Sequence, residues 1–215
     1  HTLSVTSTAP SMRGQPAQLY LREAAPAGAM RLPVVVFVHG AGTPAEVSFD
    51  SRRDDYSWMR QVARAGFDVF SVSLTGYGRS TRPAPMSDRC NIVKAQQSGY
   101  VTAPCEPTYR GPLTTMTSDW NDIGEVVDYV RRLRGVERVS MVGWSQGGPR
   151  ITGYAALQPA KVDRIVVLAP AYSEIISMTA VLLLVFAIGL VGAVLIVAGG
   201  IELARERTRP EHLRT

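Results

Sequence analysis

Short apolar runs recur along the chain and are separated by longer stretches that mix apolar and polar positions. Residues 34–38, Val-Val-Val-Phe-Val, are apolar at every position, and runs rich in β-branched residues follow at 67–72, 138–142 and 164–168. A run that is apolar on both faces is typical of a strand in a parallel sheet covered by helices on both sides. The alternation over residues 34–170 therefore predicts an α/β domain with a mostly parallel sheet.

Helices are predicted between these strands. Trp58 and Met59 begin an apolar face at helical spacing, and a longer helix is predicted from an N-cap at Ser118 to a stop at Gly135. The first 25 residues are less regular, and they fit an antiparallel hairpin added to the edge of the sheet.

Residues 81–117 are rich in proline and contain both cysteines of the chain, Cys90 and Cys105. We interpret this segment as an excursion at the edge of the domain. A disulfide between the two cysteines would stabilise the fold by roughly 3 kcal/mol on the loop-entropy model and would indicate an oxidising compartment. The alternative is two free thiols.

Residues 175–200 form a long hydrophobic segment without a charged residue. Its length suits a transmembrane helix, which needs about 20 apolar residues. The alternative is two buried strands broken at Gly189, but a parallel connection needs a crossover of a dozen or more residues. The arginine-bearing tail, 201–215, places the C-terminus in the cytoplasm and the α/β domain, residues 1–172, outside. The predicted location is the membrane or cell envelope.

The serine of a G-x-S-x-G motif, residues 143–147, is the first candidate for chemistry. Ser145 lies where a predicted strand passes into a predicted helix, the context in which this motif forms a nucleophile elbow. The N–H groups at the start of the helix favour negative charge developing near the hydroxyl. The alternative is a glycine-rich turn with an idle serine.

An oxyanion hole requires two backbone donors beside the nucleophile. The N–H of Gln146 follows the serine, and the N–H of Ala41 comes from the loop after the first parallel strand. His39 precedes that loop and is interpreted as shaping it rather than as a base. Tyr77 and Trp144 are expected to line the mouth of the substrate pocket.

Four segments now resemble successive landmarks of the α/β-hydrolase superfamily: VVVFVHGAG, GYGRS, GWSQGG and RIVVLAPAY. The resemblance covers about residues 14–172. It implies a serine hydrolase, most often an esterase or lipase, that forms an acyl-enzyme without a cofactor. Ser145 would attack an ester carbonyl, and Ala41 and Gln146 would hold the oxyanion.

The chain departs from the family in the second half of the catalytic triad. The family order is Ser, then an acid, then His, yet the last two expected strands are not recognisable and the fold is predicted to be incomplete on that side. Glu174 is a candidate acid, although it also suits the flank of a membrane span. His1 and His39 precede the serine, so His212 is the candidate base by chain order. If the hydrophobic segment crosses a membrane, His212 lies on the far side of it.

Two functions remain open at this point. The first is a hydrolase of carboxylic esters, membrane-anchored through 175–200 or a fragment of such an enzyme. The second is a catalytically degenerate domain that serves as a membrane-tethered binding module. A fusion or frameshift after residue 172 is a further explanation of the tail. The net charge of +5 comes without basic runs interleaved with aromatics, so no nucleic acid is expected. No metal-ligand spacing occurs, and a protein partner, which could supply the missing parts of the site, is left open by the sequence.

Overall fold

A computed structural model describes residues 1–28, 31–51 and 56–171. Six strands form one sheet in the order β1-β2-β4-β3-β5-β6. They are β1 (Thr2–Thr6), β2 (Pro16–Ala24), β3 (Val34–Val38), β4 (Asp68–Ser73), β5 (Val139–Trp144) and β6 (Val162–Leu168). The helices are α1 (Ala45–Phe49), α2 (Trp58–Arg64), α3 (Ala84–Ser87), α4 (Met116–Arg134) and α5 (Gly147–Leu157).

The four strands predicted to be parallel are parallel. β3 lies between β4 and β5, with Val36 opposite both Phe70 and Met141, and β6 pairs with the outer edge of β5. The first two strands form the predicted hairpin, and β2 pairs antiparallel with β4. The sheet is therefore mixed but mostly parallel, as the apolar runs predict.

Helices cover both faces of the sheet, which explains why β3 is apolar at every position. Val36 faces a core shared with α4 and α5, whereas Phe37 faces a second core shared with α1 and α2. The first core includes Ile123, Val126, Val127, Val130 and Ile151, and the second includes Phe49, Met59 and Ala63. Burial on both faces leaves no solvent side that would select polar residues.

The start of α4 differs from the prediction. Thr115, not Ser118, is the N-cap: its hydroxyl accepts the Ser118 N–H at 3.2 Å, and the Ser118 hydroxyl accepts the Thr115 N–H at 2.9 Å. This reciprocal capping box satisfies two backbone donors at the helix start. The helix ends at Gly135 in a left-handed conformation, as predicted.

The proline-rich excursion contains the predicted disulfide between Cys90 and Cys105. A buried glutamine, Gln97, organises it from within. Its amide nitrogen donates to the carbonyls of Cys90 and Cys105 at 3.0 and 3.1 Å, and its oxygen accepts the Cys105 N–H at 3.0 Å. One side chain thus supplies hydrogen bonds that the irregular backbone cannot make with itself.

Several predictions concern residues outside the described ranges: Glu174, the hydrophobic segment 175–200, the tail 201–215 and His212. Among the described helices, none combines the length and hydrophobicity needed to cross a bilayer. In the described part of the chain, β6 has a paired strand on one side only, and its Ile165 and Val166 side chains are exposed.

Replacing Gln97 with leucine is expected to lower the free energy of unfolding by about 2 kcal/mol, because backbone groups of both cysteines lose their partner. The neighbouring Gln96 is exposed, so Gln96→Leu is the matched control and should change stability by less than about 0.5 kcal/mol. Urea unfolding of the oxidised protein measures both. Equal effects of the two substitutions would show that Gln97 does not organise the excursion.

Candidate active site

Ser145 occupies the turn between the end of β5 and the start of α5, which is the strand–turn–helix context that the sequence predicts. Its backbone φ is +54°, a left-handed conformation that is unfavourable for a residue with a side chain. Three backbone hydrogen bonds hold it there. The Ser145 N–H donates to the Leu168 carbonyl at 2.9 Å, and its carbonyl accepts the N–H groups of Gly148 and Ala171, both at 3.0 Å.

The glycines of the motif are required by close backbone contacts. A Cβ at position 147 would lie 2.2 Å from the Val38 carbonyl oxygen, and one at position 143 would lie 2.4 Å from the Gly147 carbonyl oxygen. No side chain fits at such distances. Helix α5 therefore begins directly against the carboxyl end of β3, and its N-terminus opens toward the serine.

The loop after β3 lies directly beside the serine. A Cβ at Gly40 would come 2.8 Å from the Ser145 Cβ and 3.3 Å from its Oγ. Within the described residues, the N–H groups of Ala41 and Gln146 donate to no protein acceptor, and the Ser145 hydroxyl has no hydrogen-bond partner. Two unpaired amides flanking a strained serine are the arrangement that an oxyanion hole needs.

His39 is fully buried under this loop. Its Nδ1 lies 2.7 Å from the Gly40 carbonyl oxygen, its Nε2 accepts the Leu74 N–H at 3.2 Å, and its ring packs on Tyr77. Burial lowers the pKa of His39 to about 4. The imidazole is therefore neutral at pH 7 and holds the loop, which agrees with its interpretation as a shaping residue.

An ion pair that the sequence analysis missed lies behind the loop. Arg150, on α5, is 2% exposed, and its Nε donates to Asp119 Oδ2 at 2.7 Å. Its Nη1 donates to the carbonyls of His39 and Gly40 at 2.9 and 3.1 Å. Burial raises the pKa of Asp119, and the positive charge of Arg150 opposes that shift. The described site thus has a buried charge pair attached to the loop that follows β3.

A second buried carboxyl lies one helical turn further along α4. Asp122 Oδ2 accepts the Thr75 N–H at 2.9 Å, and burial raises the pKa of Asp122 to about 6. The sequence contains a pattern that predicts the burial of both carboxyls. Asp119 and Asp122 each precede a buried apolar residue, Ile123 and Val126, by four positions, so they share the buried face of the helix.

The described residues bring neither a base nor an acid to Ser145. His1 pairs with Glu23 at 2.6 Å and with the Tyr129 hydroxyl at 2.9 Å, and His39 is held in the loop. The other predicted members, Glu174 and His212, lie outside the described ranges. In the same part of the chain, no group of three or more His, Cys, Asp or Glu side chains is placed to hold a metal ion.

An apolar groove of about 350 Å³ is lined in part by Trp144, the residue before the serine, whereas Ser145 itself is not among its lining residues. Its lining residues are Thr43, Val47, Ser48, Phe49, Trp58 and Trp144. Three of them expose large apolar side chains: Trp144 is 37% exposed, Trp58 51% and Val47 63%. Trp144 lines this groove, whereas Tyr77 packs on the ring of His39 and is not among the lining residues.

A serine elbow beside free backbone amides, on a mostly parallel sheet between helices, defines the hydrolase type of α/β protein. The chain belongs to the alpha/beta hydrolase fold family, whose sequence model matches residues 33–190. No curated protein sequence shows significant similarity to it.

Solved structures share this fold. A probable hydrolytic enzyme from Pseudomonas aeruginosa is 25% identical, with a TM-score of 0.51 over 79% of this chain and 41% of its own. A candidate lipase from Sulfolobus solfataricus is 19% identical, with a TM-score of 0.52 over 81% and 45%. A candidate hydrolase from Agrobacterium vitis is 16% identical, with a TM-score of 0.52 over 83% and 55%. The chain thus spans about half the length of these proteins.

The buried imidazole predicts a pH dependence of stability. The pKa of His39 is about 4 in the folded protein and 6.5 as a free side chain, so the unfolded chain takes up the proton first as the pH falls. The stabilising contribution of neutral His39 is therefore complete above pH 6.5 and is lost between pH 6.5 and 4. From the pKa shift, the loss is about 3 kcal/mol.

The substitution His39→Asn keeps a hydrogen-bond donor near the position of Nδ1 but has no group that takes up a proton between pH 7.5 and 4.5. Urea unfolding at pH 7.5 and 4.5 should show that the difference in stability between wild type and variant shrinks by about 2 to 3 kcal/mol toward acid. Asp122 has the opposite effect on the pH dependence, because its raised pKa makes the folded state more stable as the pH falls. Asp122 is present in both proteins, so its effect cancels in the difference between them. A pH-independent difference would contradict a buried neutral His39.

Proposed function

We propose that this protein is a hydrolase of carboxylic esters that works through an acyl-enzyme at Ser145. The observation that carries the proposal is the strained serine, at φ +54°, beside the N–H groups of Ala41 and Gln146, which have no acceptor among the described residues. Membership of the alpha/beta hydrolase fold family supports hydrolysis. The apolar groove beside Trp144 supports an ester with an apolar or aromatic group.

In this mechanism the Ser145 hydroxyl attacks the ester carbonyl carbon and loses its proton to a base. The carbonyl oxygen becomes an oxyanion that accepts hydrogen bonds from Ala41 and Gln146. Collapse of the intermediate breaks the ester bond, and the alcohol leaves with the proton from the base. Water then attacks the acyl-enzyme by the same route and releases the acid.

The base must come from outside the described residues, because His1 and His39 are both engaged elsewhere. His212 and the candidate acid Glu174 have the family order along the chain. We infer instead that the base is supplied by a partner or by a missing part of a longer enzyme, because a membrane span between Ser145 and His212 would separate them by about 30 Å.

A second candidate function is a non-catalytic binding module tethered to the membrane. The observation in its favour is that, in the described part of the chain, no side chain hydrogen-bonds to the Ser145 hydroxyl. A serine without a positioned base is a weak nucleophile. The groove would then bind its ligand without turnover.

A fluorophosphonate probe on the full-length chain tests the nucleophile. Wild type is expected to be labelled slowly on one serine, because the oxyanion donors at Ala41 and Gln146 retain part of the rate without the base. Ser145→Ala should abolish labelling, because Ser145 is the serine placed at the elbow. The exposed Ser98 provides a matched control, Ser98→Ala, which should label like wild type. Mass spectrometry of the labelled peptide identifies the site. An unlabelled wild type would favour the binding module.

We also propose that residues 175–200 anchor the protein in a membrane, with the α/β domain on the non-cytoplasmic side. The uncharged segment and the arginines after it support this proposal. The disulfide between Cys90 and Cys105 agrees with an oxidising side.

The double substitution Phe186→Arg, Leu190→Arg in the full-length chain should release the protein from membranes. Each arginine at the centre of a span costs roughly 2.5 to 3.5 kcal/mol on insertion scales. Phe186→Leu with Leu190→Ile is the control and should stay bound to membranes, as measured by carbonate extraction.

The same topology predicts that His212→Ala leaves fluorophosphonate labelling of Ser145 unchanged. Loss of labelling in His212→Ala would contradict the span.

A further inference from the structure

The buried arginine behind the oxyanion loop is poorly explained by stability alone. Arg150 is the fourth residue of α5, near the positive end of the helix dipole, where a cation is unfavourable. Its ion pair with Asp119 is almost fully buried, with side-chain exposures of 3% and 7%. Buried ion pairs of this kind contribute little net stability compared with apolar residues of similar volume.

Arg150 contacts two successive peptide bonds of the loop, His39–Gly40 and Gly40–Ala41, and the second of them carries the Ala41 N–H. The Gly40 carbonyl accepts hydrogen bonds from Arg150 Nη1 at 3.1 Å and from His39 Nδ1 at 2.7 Å. The same peptide unit carries the Ala41 N–H on its other side, because the bond is trans and planar. Two donors that fix the carbonyl therefore also fix the direction of the N–H.

The charge of Arg150 adds to this geometric effect. A cation bound to a carbonyl oxygen polarises the peptide and makes its N–H a stronger donor, and the effect is larger where water is excluded. The planar guanidinium suits the position because Nε is held by Asp119 while Nη1 reaches the His39 and Gly40 carbonyls.

We propose that Arg150, held by Asp119, is a positioning residue that orients and polarises the Gly40–Ala41 peptide so that the Ala41 N–H faces the oxyanion formed at Ser145. This role rests on the proposed function of Ser145 as a nucleophile. Arg150 does not touch the reacting atoms, and it acts through the peptide that does.

The test separates positioning from folding through a double variant of the full-length chain. Arg150→Met alone leaves Asp119 buried without a partner and is expected to destabilise the fold. Arg150→Met with Asp119→Leu removes both charges and should restore stability, measured by urea unfolding. Labelling by a fluorophosphonate is then followed over time to obtain kinact and KI for Ser145.

In the double variant we expect kinact to fall by about 10-fold to 100-fold with KI unchanged, somewhat less than the loss of a whole oxyanion donor. Arg150→Lys keeps a charge opposite Asp119 but lacks the planar fork of the guanidinium. It should therefore be more stable than Arg150→Met and should reach only part of the wild-type kinact. A double variant that is as stable as wild type and labels at the wild-type rate overturns the proposal.

A second readout does not depend on catalysis. With glycine carbonyl carbons labelled with 13C and alanine nitrogens with 15N, only Gly–Ala pairs give signals, and they occur at 28–29, 40–41 and 192–193. Ala41→Ser identifies the second pair. In the stable double variant, loss of the hydrogen bond to the Gly40 carbonyl should shift the Ala41 nitrogen and leave the other two signals in place. An unmoved Ala41 signal overturns the inference.

The two proposals fail separately. A wild-type chain that is not labelled at Ser145 refutes the nucleophile, and the orientation of the Ala41 peptide by Arg150 is then decided by the nitrogen shift. A labelled wild type with an unchanged double variant refutes the positioning role and leaves the nucleophile in place.

Discussion

The close approach of helix α5 to the end of β3 is the constraint on which the site depends. A Cβ at Gly147 would lie 2.2 Å from the Val38 carbonyl oxygen, so the helix can start there only without a side chain. This contact brings the helix N-terminus, the serine turn and the loop after β3 into one small volume. Gly40 makes a second close approach two residues beyond the end of β3, because its backbone packs on the Ser145 side chain.

The buried polar groups behind this contact give the loop a fixed shape. Backbone groups that leave the end of a strand need partners when they are shielded from water. The carbonyls of His39 and Gly40 find theirs on Arg150, and the Leu74 N–H finds its partner on His39. The buried charge and the backbone carbonyls thus satisfy each other, and among the described residues the exposed Ala41 amide has no acceptor.

The sequence predicts the parts of this structure that depend on short-range patterns. Continuous apolar runs identify the parallel strands, because burial on both faces removes polar positions, and the glycine spacing around Ser145 identifies the elbow. The N-cap of α4 is misplaced because Thr115 and Ser118 both have side chains that cap well. The pairing of Arg150 with Asp119 joins residues 31 positions apart, which no local pattern encodes. The contacts of Gln97 are closer in the chain, but they go to the backbone of an irregular segment that has no periodic pattern to read.

The left-handed backbone at Ser145 has a consequence for how the position is maintained. Glycine adopts this conformation freely, whereas a residue with a Cβ is disfavoured there by roughly 1 to 2 kcal/mol. A chain selected for folding alone would drift toward glycine at 145, and the substitution would be stabilising. The serine therefore stands against the preference of its own backbone, and the group that glycine would lack at this position is the hydroxyl.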